Sequence, residues 1–104
     1  EQKKEVNMDI RIQSLKFDAD AKLIDFIEKK LAKLPKFYDE VKSVEVILSL
    51  LPDYENKNVM IKLFIPGNDL VVERHSGKFE DAVVDCIAIL KDLLVKVKEK
   101  KREV

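Results

Sequence analysis

A period of two opens the patterned part of the chain: Met8, Ile10 and Ile12 are apolar, while Asp9, Arg11 and Gln13 are polar. This alternation predicts a strand with one buried face. A helical period follows, with Leu23, Ile27, Leu31 and Leu34 recurring at spacings of three and four until Pro35 interrupts them. Asp18 and Asp20 are candidate N-caps for that helix. Ala32 and the abundant Lys and Glu suit it as well. The period of two then returns in Val44, Val46, Leu48 and Leu50, which lead into a turn of Pro52, Asp53, Tyr54, Glu55 and Asn56. It returns again in Val59, Ile61, Leu63 and Ile65, closed by Pro66, Gly67, Asn68 and Asp69, a strong hairpin signal. Residues 70–74 make a shorter last strand, and Ser76 or Gly77 leads into a final helix over 77–104. The apolar stripe of that helix is Phe79, Val83, Cys86, Ile87, Leu90, Leu94 and Val97.

The element order is therefore β-α-β-β-β-α, an α+β fold without internal repeat or domain boundary. Short turns make the last three strands an antiparallel meander, whereas the first strand needs the helix as its crossover. Both helices then cover one face of a four-stranded sheet. The opposite face carries Ile47, Leu51, Met60, Phe64 and Val71, more apolar residues than water requires. A partner or weak self-association through that sheet face is one reading, and scattered exposed apolar side chains are the other.

At 104 residues, 46% of them hydrophobic, the chain is sized for one domain with a modest core. Residues 8–104 are read as that domain and residues 1–7 as an N-terminal extension. Few Gly and Pro point to regular structure. No stretch approaches the roughly 20 apolar residues of a membrane span, and the charged start is unlike a signal peptide, so a cytoplasmic protein without membrane contact is expected. Twenty basic and twenty acidic residues cancel to a formal net charge of zero. Only the distribution of charge is informative.

Catalysis finds no support in the residue types. The single cysteine, Cys86, falls on an apolar helical stripe, and the single histidine, His75, stands beside Glu73 and Arg74 near a strand end. Neither has the partners a nucleophile or a metal needs. Glu80 and Asp81 open the last helix, where negative charge compensates the macrodipole. Gly67 and Gly77 stand alone, so no phosphate loop is present. No catalytic residue, cofactor or metal is expected.

The helices sort their charges. On the first, Lys22, Lys29, Lys33 and Lys36 fall on one row, and Lys30 lies nearer the core, where its stem can cover apolar surface. On the last, Lys91, Lys98 and Arg102 share one flank of the stripe and Lys96 and Lys100 the other, with Asp92, Glu99 and Glu103 opposite the stripe. A groove between the helices would offer an RNA strand several cations. The same residues also form i,i+4 pairs, Asp18–Lys22, Asp25–Lys29 and Asp92–Lys96, each contributing roughly 0.2–0.5 kcal/mol to an ordinary solvated helix. Charge placement alone leaves both readings open. The strands lack an aromatic platform for stacked bases, so contact through phosphate and shape is expected instead.

The order of elements and several stretches together resemble a known family. Met8-Asp9-Ile10-Arg11-Ile12 opens the match. Phe26-Ile27-Glu28-Lys29-Lys30-Leu31-Ala32-Lys33-Leu34, followed by Phe37-Tyr38-Asp39, is its most specific part. Phe79-Glu80-Asp81-Ala82, Ile87, Leu90 and the tail Lys96-Val97-Lys98-Glu99-Lys100 complete it. Together they are similar to the short ribosome hibernation promoting factors, also called ribosome-associated inhibitor A, ribosomal subunit interface protein or sigma-54 modulation protein. The resemblance implies the same β-α-β-β-β-α fold, similar to a double-stranded RNA-binding domain. It also implies binding to the small ribosomal subunit and its 16S rRNA at the messenger channel and tRNA sites, with translation blocked. Lys30, Lys33, Lys96, Lys98 and Lys100 are implied to touch RNA. Lys22, Lys29, Lys36, Lys91 and Arg102 join them from the helical projection. Asp92, Leu93 and Val95 depart from the polar or basic residues many relatives carry there. The alternatives are a free double-stranded RNA binder and a protein-interaction module using the outer sheet face.

Overall fold

The computed structural model describes residues 9–36, 40–52 and 54–102. Its elements are β1 (Asp9–Ser14), α1 (Ala21–Leu31), a 3-10 turn (Leu34–Lys36), β2 (Ser43–Leu50), β3 (Lys57–Ile65), β4 (Asn68–Ser76) and α2 (Phe79–Arg102). The sheet has the order β1-β2-β3-β4. β1 pairs parallel to β2, and the remaining pairs are antiparallel. That is the meander and the helical crossover that the turn lengths predict.

Alternation decides which side chains meet the helices. Val44, Val46 and Leu48 of β2, Val59, Ile61, Leu63 and Ile65 of β3, and Leu70 and Val72 of β4 are buried on one face. Leu23, Ile27 and Leu31 of α1 and Phe79, Ala82, Val83, Cys86, Leu90 and Leu94 of α2 close over them. One apolar cluster thus joins every layer, with Ile10 and Ile12 of the edge strand packed against its rim. Removing this surface from water, at about 25 cal/mol per Å², drives the assembly.

Asp20 caps α1: its Oδ1 accepts the backbone N–H of Leu23 at 2.8 Å. Asp18 lies two residues earlier, outside the capping position. The helix ends sooner than its apolar period. Pro35 has no N–H to continue the ladder, so the α-helix stops at Leu31 and the chain tightens into i→i+3 bonds. Lys33 N–H reaches the Lys30 carbonyl at 3.3 Å, and Lys36 N–H reaches that of Lys33 at 3.2 Å. Lys33 and Lys36 therefore leave the helical row on which the sequence projects them, although Leu34 stays buried.

Three strand details also differ from the sequence reading. β4 runs from Asn68 to Ser76, as long as β3, because only Pro66 and Gly67 are needed for the turn, with Gly67 at φ 79°. Leu50 ends β2 with 47% exposure, beyond the reach of the helices. Leu51 belongs to the turn, its N–H donating to the Asn56 carbonyl at 2.8 Å, and does not join the outer sheet face. Met8, Phe37, Tyr38, Asp39, Asp53, Glu103 and the stretch 1–7 lie outside the described residues.

Candidate nucleic-acid interface

The strand directions set the direction of the helices. β4 runs with β1 and β2, being two antiparallel steps from β2. α1 follows β1 and α2 follows β4, so both helices set out from the same end of the sheet and run the same way. Phe17, just before α1, stacks on Phe79, the first residue of α2, with centroids 5.3 Å apart and rings inclined by 7°. The two helices thus begin side by side, and they pack against each other. At 1.5 Å per residue α1 is about 16 Å long and α2 about 36 Å. Lys91 comes level with the end of α1, and the last turns of α2 project beyond it.

This arrangement groups most of the expected cations and separates one. Lys29, Lys30, Lys33 and Lys36 lie at the C-terminal end of α1 and the turn after it, while Lys96, Lys98 and Lys100 lie at the C-terminal end of α2. All are exposed except Lys30, which is half-buried. Lys22 sits in the first turn of α1, at the opposite end of that helix. Arg102 belongs to α2 by its backbone, its side chain lying outside the described residues.

Individual lysines are not equivalent. Lys29 Nζ is 3.0 Å from Asp25 Oδ2, one of the i,i+4 pairs the sequence predicts. Lys30 Nζ lies 5.4 Å from the centroid of the Phe26 ring, so its stem covers apolar surface while the charge stays accessible. Positive charge at these helix C-termini also complements the negative end of each dipole. The two flanks of α2 diverge. Lys96 and Lys100 continue, at helical spacing, the side on which Asp85 and Ile89 border Arg74 and His75 of β4. Lys91 and Lys98 lie on the other side of the apolar stripe.

Lys42 is a cation that the sequence pattern misses. It is exposed just before β2, and its N–H donates to the Phe64 carbonyl at 2.9 Å, which fixes it at the same end of the sheet as the helix C-termini. No periodicity marks a loop residue; only the strand pairing places it.

The outer sheet face is less apolar than its list of hydrophobic residues suggests. The register sets Gln13, Ile47, Met60 and Glu73 in one row and Arg11, Glu45, Lys62 and Val71 in the next. Apolar side chains there alternate with charge. Beside them Asn58 is a buried amide, 6% exposed, whose Nδ2 donates to Glu73 Oε2 at 2.8 Å and to Ser49 Oγ at 3.3 Å. His75 Nδ1 carries its hydrogen toward the Glu55 carbonyl, 3.1 Å away. Cys86 is a core residue, its Sγ 3.7 Å from the Val59 carbonyl, and burial pushes its thiol up to about 11. Among the described residues no three His, Cys, Asp or Glu side chains converge on a metal position. No helix there is long and apolar enough to cross a membrane.

Comparison with known proteins adds to this geometry. No curated protein sequence matches the chain. Among solved structures, a ribosomal subunit interface protein from Coxiella burnetii superposes with a TM-score of 0.81 at 23% identity, covering 88% of this chain and 99% of the other. The N-terminal domain of Thermus thermophilus Protein Y gives 0.76 at 23% identity, covering 86% and 99%. At that identity these likenesses establish the fold. The family model described as sigma 54 modulation protein / S30EA ribosomal protein matches residues 10–102, nearly the whole chain, and the protein therefore belongs to that family.

Proposed function

We propose that this protein is a ribosome-associated hibernation factor that binds small-subunit ribosomal RNA and blocks translation by occupying the messenger and tRNA sites. The observation that carries this reading is the gathering of Lys29 to Lys36, Lys42 and Lys96 to Lys100 at one end of a molecule with no net charge. Two parallel helices and a strand start deliver these cations together, within reach of successive phosphates. Family membership supports the ribosomal assignment.

The mechanism is steric. Lysine ammonium groups replace counterions on the RNA, releasing them to solution, and the folded sheet fills space that messenger and transfer RNA would need. No bond is made or broken. Binding through phosphates and shape suits a protein whose sheet has no row of aromatic rings to stack bases.

A free duplex-RNA mode has less support, since Glu80 and Asp81 are exposed in the first turn of α2 and would repel a phosphate there. Self-association through the outer sheet face has less support as well, because Glu45, Lys62 and Glu73 interrupt Ile47, Met60 and Val71. Co-sedimentation with purified small subunits tests the proposal. The variant with Lys30, Lys33, Lys96 and Lys98 all replaced by Glu is expected to remain in the supernatant while the parent protein pellets. Equal pelleting of both would overturn the surface.

A further inference from the structure

The four strands hold one phenyl ring. Phe64 is half-buried near the end of β3, on the face of the sheet turned away from the helices. The register sets Asp9, Ser43 and Phe64 in one row of that face and Arg11, Glu45 and Lys62 in the next. Between the rows lies a recess of about 190 Å³, lined by Asp9, Arg11, Ser43, Glu45 and Phe64. Pockets for drug-sized ligands run from roughly 300 to 1,000 Å³, so this one is sized for a single ring system.

The recess belongs to the lysine end of the molecule. Lys42 forms its rim through main-chain bonds on both sides: its N–H donates to the Phe64 carbonyl at 2.9 Å, and its carbonyl accepts the Asp9 N–H at 3.2 Å. One cation of the proposed RNA surface is therefore fixed to two residues that line the recess. An RNA strand held by Lys42 has the opening immediately beside it.

Chemistry selects what enters. Asp9 and Glu45 repel a phosphate, whereas the ring of Phe64 offers a face on which an unpaired base stacks. One ring is not the row that a base-stacking sheet uses, but it suffices for one base. Arg11 and Glu45 are direct partners across β1 and β2, so a guanidinium and a carboxylate stand side by side. Asp9 Oδ2 lies 3.5 Å from Arg11 Nε and steadies that guanidinium. Glu45 is half-buried and has no ion-pair partner among the described residues. Guanine matches this pair: O6 and N7 accept from a guanidinium, and N1–H and the N2 amino group donate to the two oxygens of a carboxylate. Cytosine and adenine offer the carboxylate one amino group, and uracil offers none. We propose that the recess is a guanine subsite, with Phe64 stacking on the base and Arg11 and Glu45 reading its edge. The subsite rests on the RNA-binding reading above and adds one base contact to an interface that otherwise runs through phosphates. The guanine it takes is unpaired, since pairing would occupy the edge that Glu45 reads.

The chain has no tryptophan, so Phe64→Trp places a single indole in the recess. Its emission is followed while single-stranded uridine hexanucleotides carrying one G, one A, one C or no other base are titrated in, and again with purified small subunits. Val71→Trp, on the far edge strand of the same face, is the control. The G-bearing hexamer is expected to quench Phe64→Trp but not Val71→Trp, and to bind the parent about tenfold more tightly than the other three. Phe64→Leu keeps apolar bulk without the ring and is expected to bind the G-bearing hexamer about tenfold more weakly than the parent. Glu45→Gln is expected to lose the preference for G and keep the remaining affinity. Equal binding of all four hexamers to the parent overturns the guanine assignment. Absence of quenching by hexamers and subunits alike, while Phe64→Trp still pellets with subunits, overturns the subsite and leaves the ribosomal reading intact. A parent protein that does not pellet with subunits overturns the ribosomal reading, and a G preference among the hexamers then supports the subsite on its own.

Discussion

Phe17 and Phe79 lie nearly parallel, 5.3 Å between centroids, and so join the loop before α1 to the first residue of α2. Neither residue belongs to the helical stripe of α1, yet their contact sets where the two helices start relative to each other. Replacing Phe79, which is buried, by Ala is expected to cost about 3 kcal/mol, and Phe17→Ala, half-buried, about 2 kcal/mol. A double-mutant cycle read by urea unfolding should show a coupling of about 0.5–1.5 kcal/mol beyond those costs. Additive losses would mean that the rings merely sit near each other.

The salt dependence of RNA binding reports which cations touch phosphate. Replacing Lys33, Lys36, Lys98 and Lys100 by Ala is expected to flatten the slope of log K against log salt by roughly 3, about 0.7 to 0.9 for each contact removed. Lys16, Lys57 and Lys78, at the other end of the fold, should leave the slope unchanged when replaced together. Titrations at several potassium chloride concentrations give both slopes.

Asn58, itself 6% exposed, donates a hydrogen to the exposed Glu73, so Asn58→Asp would set a buried carboxylate against another. At pH 7 the variant is expected to lose about 2–3 kcal/mol. Chemical denaturation of parent and variant at pH 7 checks this, and an unchanged stability would mean that the Asn58–Glu73 hydrogen bond contributes nothing.

Burial holds the Cys86 thiol neutral up to about pH 11, whereas the unfolded chain gives up that proton near its ordinary 9.0. Between those values the native state keeps a proton that the unfolded state has lost, so stability falls as pH rises. The contribution is fully present below pH 9 and fades by about pH 11, an effect on the order of 2 kcal/mol. Cys86→Ala should flatten this alkaline decline. The native thiol should also resist alkylation at pH 8 and react once the chain is unfolded.

The sequence by itself determined the element order, because each element is written locally. Ile10 and Ile12 carry the period of a strand, Leu23, Ile27 and Leu31 that of a helix, and the Asp20 cap and Pro35 bound α1 from within a few residues. It also identified the lysines at the C-terminal end of each helix, with the likeness in the first helix pointing to ribosomal RNA. Tertiary structure decided which of them lie at one end of the fold. Lys33 and Lys36 left the projected row when the helix tightened before Pro35, and Lys22 came to lie a helix length from its supposed companions. Lys42 joined the group through a strand pairing between residues more than twenty positions apart. The outer face likewise lost its apolar look only when the register set Glu45 and Lys62 beside Ile47 and Met60. Side-chain period is a property of neighbours along the chain, whereas a binding surface depends on where strand pairing and ring stacking bring distant residues, and no local pattern records that.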